Sequence, residues 1–262
     1  MTSTMRQTLT AARASGKSAF IPFVMAGDPD MDACEKIIIA LQQAGADMLE
    51  LGVPFSDPAA DGVTVQRAAE RSLSKGATLQ GVMDLVKRLR RQGVTMPICL
   101  FSYLNPVYRL GYEAFVKQAL AAGAQGALIV DLPPEEAADY CRTARARNFE
   151  TVFLCSPTTS ADRLKLVDAA SSGFVYYISR EGVTGAQAAL PQQLQNKLSG
   201  LRSTLKNPLA VGFGISTPEQ VRQLDGKAEG IVVGSALVKL IEDHPDDPVA
   251  LVAEQVKKLK NY

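Results

Sequence analysis

The 262-residue sequence contains one histidine, four cysteines and no tryptophan. The single imidazole, His244, excludes a multi-histidine metal site, and any Ser/His/Asp triad would have to use it. It stands in Glu242-Asp243-His244-Pro245-Asp246-Asp247-Pro248, an acidic, proline-rich stretch that predicts a polar surface loop between two helices. Cys34, Cys99, Cys141 and Cys155 form no Cys-x-x-Cys pair, so they read as reduced core thiols and not as a disulfide framework or zinc knuckle. Neither positive nor negative charge is in excess. The 28 Lys+Arg against 27 Asp+Glu leave a formal net charge of +1, with no electrostatic footprint for nucleic acid or an anionic membrane. Arg6, Arg13 and Lys17 are scattered through a polar N-terminal stretch that lacks the apolar run of a signal peptide. Runs such as Ile37 to Leu41 are too short to cross a bilayer. These absences predict a cytoplasmic protein.

What is present is a core-forming composition, 47% apolar against 21% charged. Eight short segments rich in β-branched and aromatic residues begin near residues 19, 47, 97, 126, 150, 174, 208 and 230, each followed by a turn and a helical pattern. Their near-continuous apolar character predicts strands covered on both faces, as in a parallel sheet. Asp30 is placed to cap a helix with a Cys34, Ile37, Ile38, Leu41 stripe ended by Gly45, and Asp247-Pro248 to open the last helix. The longest interval, between strands two and three, has room for a second helix, beginning at Thr78 and stopping at Gly93. No linker divides the chain. The repeat predicts one (β/α)8 TIM barrel over residues 1–262, with an extra N-terminal helix and an extra helix between strands 2 and 3. An open doubly wound sheet is the alternative, without a Gly-x-Gly-x-x-Gly after the first strand to support it.

In such a barrel, chemistry belongs at the C-terminal ends of the strands. Gly212-Phe213-Gly214 after strand seven and Gly234-Ser235 after strand eight offer small residues and helix-start N–H groups, an arrangement suited to a phosphate; each alone is also an ordinary turn. Gly182 to Gly185, after strand six, reads as a closing loop or a plain connection. Strand two ends in Glu50, a carboxylate inside a buried run, which requires either a salt-bridge partner or a proton-transfer role. Asp61 follows and is read either as a second functional carboxylate or as a helix cap. Phe23, Leu100, Leu128, Tyr176 and Phe213 are expected near the mouth, with the Tyr103 hydroxyl beside them, for a ligand flat and apolar at one end and phosphorylated at the other.

No lysine occurs at a predicted strand end for a Schiff base, and no nicotinamide fingerprint is present. The remaining chemistry is acid/base work by Glu50 and Asp61 on a substrate that carries its own electron sink, such as an indole ring protonated at C3.

The stretch from Glu50 to Gln66, Glu-Leu-Gly-Val-Pro-Phe-Ser-Asp-Pro-Ala-Ala-Asp-Gly-Val-Thr-Val-Gln, resembles the signature of the tryptophan synthase α-subunit family. The likeness extends to Pro22 to Pro29, Tyr103 to Pro106, Asp131 to Glu136, Ser179 to Gly185 and Gly212 to Ser216. It implies cleavage of indole-3-glycerol phosphate to indole and glyceraldehyde 3-phosphate, with Glu50 as general acid/base and Asp61 stabilising charge at the indole nitrogen. It further implies Tyr176 as the active-site tyrosine, Thr184 as the closing-loop threonine that orders Asp61, and Gly185, Gly214, Gly234 and Ser235 as phosphate-binding positions. It implies a pyridoxal-phosphate β subunit that receives the indole in an α2β2 complex, contacted through the loop of Asp57 and Pro58, and no cofactor in this chain. One departure is Val63, where the family usually has a helix-starting proline. A stand-alone indole-releasing lyase and a non-catalytic phosphosugar-binding barrel are the alternatives.

Overall fold

Eight parallel strands close on themselves in sequence order: β1 (Ala19–Met25), β2 (Leu49–Gly52), β3 (Ile98–Ser102), β4 (Gly126–Ile129), β5 (Glu150–Cys155), β6 (Phe174–Ile178), β7 (Leu209–Gly212) and β8 (Gly230–Val233). The computed structural model describes residues 4–178, 192–212 and 214–260. β8 returns to pair with β1 through Ala19 with Gly230 and Ile21 with Val232. This closure is the (β/α)8 barrel that the strand spacing predicts, and it leaves no free sheet edge.

The helices begin where local chemistry starts them. The Asp30 side chain accepts from Ala33 N at 2.8 Å to open α2 (Met31–Gln43), and Thr78 accepts from Gly81 N to open α4 (Leu79–Arg91). α1 (Met5–Ala14) precedes the barrel, and α3 (Val63–Ser74) with α4 fills the long β2–β3 interval. α7 (Ala138–Ala146), α8 (Ala161–Ala170), α9 (Gln192–Thr204) and α10 (Pro218–Leu224) are single crossovers; α11 (Ser235–Asp243) and α12 (Pro248–Lys260) flank the turn that carries His244. One element exceeds the sequence expectation. Two helices, α5 (Leu104–Leu110) and α6 (Tyr112–Ala122), connect β3 to β4, because Gly111 turns the chain at φ 86° between them and Asp131 Oδ1 accepts from Leu104 N at 2.6 Å.

Two apolar clusters follow from the strand period of two. The outer one joins the helices to the outward face of the sheet; the inner one fills the barrel with Ile21, Phe23, Met48, Cys99, Leu128, Val152, Phe174, Tyr176, Ala210 and Val232. Met5 and Leu9 of α1 close the bottom of this inner cluster, and Glu150 fixes that helix by accepting from Met5 N and Arg6 N at 2.7 and 3.1 Å. The opposite end is therefore the open one. Among the described residues, no helix is long and apolar enough to cross a membrane.

Strand parity corrects one expected pocket residue. Leu100 is fully buried in the outer cluster, and the next residue, Phe101, points to the inside. Leu100→Ala should destabilise the fold by about 2–5 kcal/mol through the cavity it leaves. It should leave the kinetics of the folded fraction unchanged, which denaturant unfolding and steady-state assays would check together.

Candidate active site

The open end of the barrel holds a cavity of about 190 Å3. Phe23, Glu50, Asp61, Tyr176, Gly214, Gly234 and Ser235, all singled out from the sequence, line it. Val65, Phe101, Val130, Leu154, Ile178 and Val232 add to its apolar wall among the described residues. Leu128 has the inward parity but sits one layer below the mouth, where Val130, two residues on, takes the expected place. Phe213, Thr184 and Gly185 lie outside the described residues.

Glu50 is held by the middle of β2, with Phe23 and Cys99 as its strand neighbours. It is 1% exposed, and its Oε1 has no hydrogen-bond partner among the described residues. No ion pair reaches it among those residues. Burial pushes its carboxyl up to about 8, and the neighbouring Asp61 charge adds to the rise. The group therefore keeps its proton at neutral pH, where an ordinary glutamate would have lost it.

Asp61 belongs to the loop between β2 and α3. Its N–H donates to Pro58 O at 3.0 Å, and its carbonyl accepts from Gln66 Nε2 at 2.9 Å. The helix that follows is capped by Gly62 without a side-chain bond, so the Asp61 carboxyl is not a helix cap and faces the cavity. Val63, which stands where the family usually has proline, starts that helix at its first position and is 63% exposed. Burial raises the Asp61 carboxyl to about 6, opposed by a hydrogen bond from Tyr103. Two neighbouring carboxyl groups thus differ in protonation near neutrality, the condition that separates an acid from an anion.

Tyr103 was expected against the ligand, but its place is behind the loop. It is 4% exposed, its Oη accepts from Ala60 N at 3.0 Å, and it hydrogen-bonds the Asp61 carboxylate. It holds Asp61 toward the cavity. Tyr176 does line the wall, and burial above all keeps its phenol protonated. Gly212 at the end of β7 is required by this ring, since a Cβ there would stand 2.2 Å from Tyr176 Oη.

At the other end of the cavity, Gly234 and Ser235 begin α11, whose first N–H groups have no intrahelical acceptor. A Cβ on Gly234 would meet Phe23 at 3.3 Å, so glycine keeps the helix start close to the ring wall. The arrangement suits a ligand with an anion at the α11 end and an aromatic body among Phe23, Phe101 and Tyr176. Phe23 and Phe101 meet edge to face with centroids 5.3 Å apart.

A family model described as tryptophan synthase alpha chain matches residues 9–262. The chain is 46% identical over 229 residues to the tryptophan synthase alpha chain of Geobacter sp. (strain M21), covering 87% of this chain and 85% of that one. The crystal structure of tryptophan synthase subunit alpha from Legionella pneumophila superposes with a TM-score of 0.91 at 36% identity, covering 98% and 97% of the two chains. A structure of the tryptophan synthase a2b2 complex from Pyrococcus furiosus gives 0.88 at 40% identity, covering 94% and 98%.

Two consequences of the carboxyl environments can be measured. The folded protein holds on Glu50 a proton that the unfolded chain, titrating near 4.5, releases. That stabilising contribution is complete below pH 4.5 and is lost as the pH rises through about 8. Denaturant midpoints of the native chain should therefore fall across this window relative to those of Glu50→Gln. Tyr103→Phe removes the hydrogen bond that lowers the Asp61 pKa, so the carboxyl resonance of Asp61 should titrate above its native midpoint of about 6.

Proposed function

The chain belongs to the tryptophan synthase alpha chain family, and from that membership and the site's geometry we propose that Glu50 and Asp61 cleave indole-3-glycerol phosphate to indole and D-glyceraldehyde 3-phosphate. The observation that supports this proposal is the buried Glu50 carboxyl, whose Oε1 has no partner among the described residues and which retains its proton at neutral pH in the same cavity as a more acidic Asp61.

The steps follow from those protonation states. Glu50 gives its proton to C3 of the indole ring, and the positive charge that develops at the ring nitrogen faces the Asp61 carboxylate. The resulting Glu50 carboxylate takes the proton of the hydroxyl on the adjoining glycerol carbon. The bond from C3 to that carbon then breaks, its electron pair returning to the ring as indole is released, and the former carbinol carbon becomes the aldehyde. One proton enters at C3 and one leaves the hydroxyl, so Glu50 ends the cycle as it began.

Binding follows the two ends of the cavity. Phe23, Phe101 and Tyr176 cover the ring; Gly214, Gly234 and Ser235 receive the phosphate through backbone N–H groups and the α11 dipole. Thr184, Gly185 and Phe213 join this set by resemblance to the family. The chain acts without a cofactor of its own. Its partner is a β subunit in an α2β2 complex, which holds pyridoxal phosphate and consumes the indole; the exposed loop of Asp57 and Pro58 meets it. The cytoplasm is the proposed compartment.

Glu50→Gln and Asp61→Asn test the roles. Each should lower kcat for indole release by about 10²–10⁴-fold, the range for loss of a positioned acid or base. Substrate-analogue affinity should change little. Wild-type turnover in either variant contradicts the assignment.

A further inference from the structure

Arg71 on α3 makes an ion-pair network that the steps above do not use. Its Nε and Nη2 donate to the two carboxylate oxygens of Asp28 at 2.7 and 2.9 Å, and its Nη1 donates to Glu242 Oε1 at 3.2 Å. Asp28, just beyond β1, is 1% exposed. Glu242 lies on α11, and its other oxygen is buried without a hydrogen-bond partner among the described residues, with Lys239 Nζ at 3.5 Å.

The three joined elements each carry a wall of the cavity. β1 supplies Phe23, α3 starts two residues after Asp61, and α11 starts at Ser235 with Gly234 as its cap. Arg71 is about 12 Å along its helix from Val63, and Glu242 about 10 Å from Ser235, so neither is placed to touch a ligand in the cavity. Asp28 alone would satisfy the guanidinium's bidentate edge. Extending the network to a second, largely buried carboxylate adds desolvation that apolar packing would avoid, so the pair is a weak source of stability. Helices transmit displacement along their axes, and packed interfaces move as units.

We propose that Arg71 is a positioning residue that couples the anion-binding start of α11 to the placement of Asp61, so that a phosphate seated at Gly234 and Ser235 draws the Asp61 carboxylate into register with the ring. This rests on the proposed substrate only for the identity of the anion.

The test uses the full chain, with Glu242→Gln, which leaves the Asp28 pair intact, and Arg71→Met. In the first arm, the Asp61 carboxyl is followed by carbon NMR while inorganic phosphate is added. Phosphate should shift its titration midpoint in the native chain, and the shift should shrink several-fold in both variants. In the second arm, kcat/KM is compared for indole-3-glycerol phosphate and the same compound without its phosphate. The variants should lose about 10- to 100-fold on the phosphorylated substrate and little on the other, the scale expected for a misplaced catalytic group. Equal losses on both substrates, no loss in either variant, or a native Asp61 that ignores phosphate overturns the coupling. Absence of cleavage by the native chain would refute the proposed reaction and leave the first arm to decide the coupling. If Arg71→Met does not fold, Glu242→Gln decides alone.

Discussion

Removal of one carboxyl group from water, with no compensating cation among the described residues, is the constraint on which this site depends. Glu50 sits on an inward position of β2, where a charged side chain would ordinarily demand a partner, and its Oε1 has none among the described residues. The barrel tolerates it by keeping it neutral. The same burial that makes the anion costly makes the acid available at neutral pH, so desolvation converts an ordinary glutamate into a proton donor.

The rest of the architecture maintains that inequality between two acids. α1 closes the bottom of the barrel and leaves the other end for the ligand. Tyr103 donates to Asp61 and accepts from Ala60, which keeps the second carboxyl more acidic than burial alone would make it and aims it inward. Gly212 leaves the space that Tyr176 occupies, where a Cβ would clash, and Gly234 sets the start of α11 tightly against Phe23. Acid, anion, ring wall and helix terminus thus converge on one cavity, the two carboxyl groups from β2 and the loop after it and the helix terminus from the end of β8.

Much of this was legible in the sequence because it rests on local chemistry. Asp30 and Thr78 cap the helices expected of them, and the positions of eight apolar segments foretell the closed barrel. A carboxylate in an apolar run marked Glu50 without any structural knowledge. What sequence could not convey was parity within strands buried on both faces. Ile98-Cys99-Leu100-Phe101 has no polar alternation, so nothing local distinguishes Leu100, which faces the helices, from Phe101, which faces the cavity. Depth was equally hidden, as Leu128 and Val130 have the same parity and differ only in layer. The second short helix after β3 depended on Gly111, and the role of Tyr103 on a loop distant in the chain. Arg71 gave no local signal because its partners lie 43 and 171 residues away.

The protonation state of Glu50 is the quantity to measure. Carbon NMR of the side-chain carboxyl in the ligand-free chain, assigned by its loss in Glu50→Gln, should show a midpoint at about 8 and a protonated group at neutral pH. A midpoint near the ordinary 4.5 would mean that the buried carboxyl is ionised at pH 7, and the acid on which the mechanism begins would not exist.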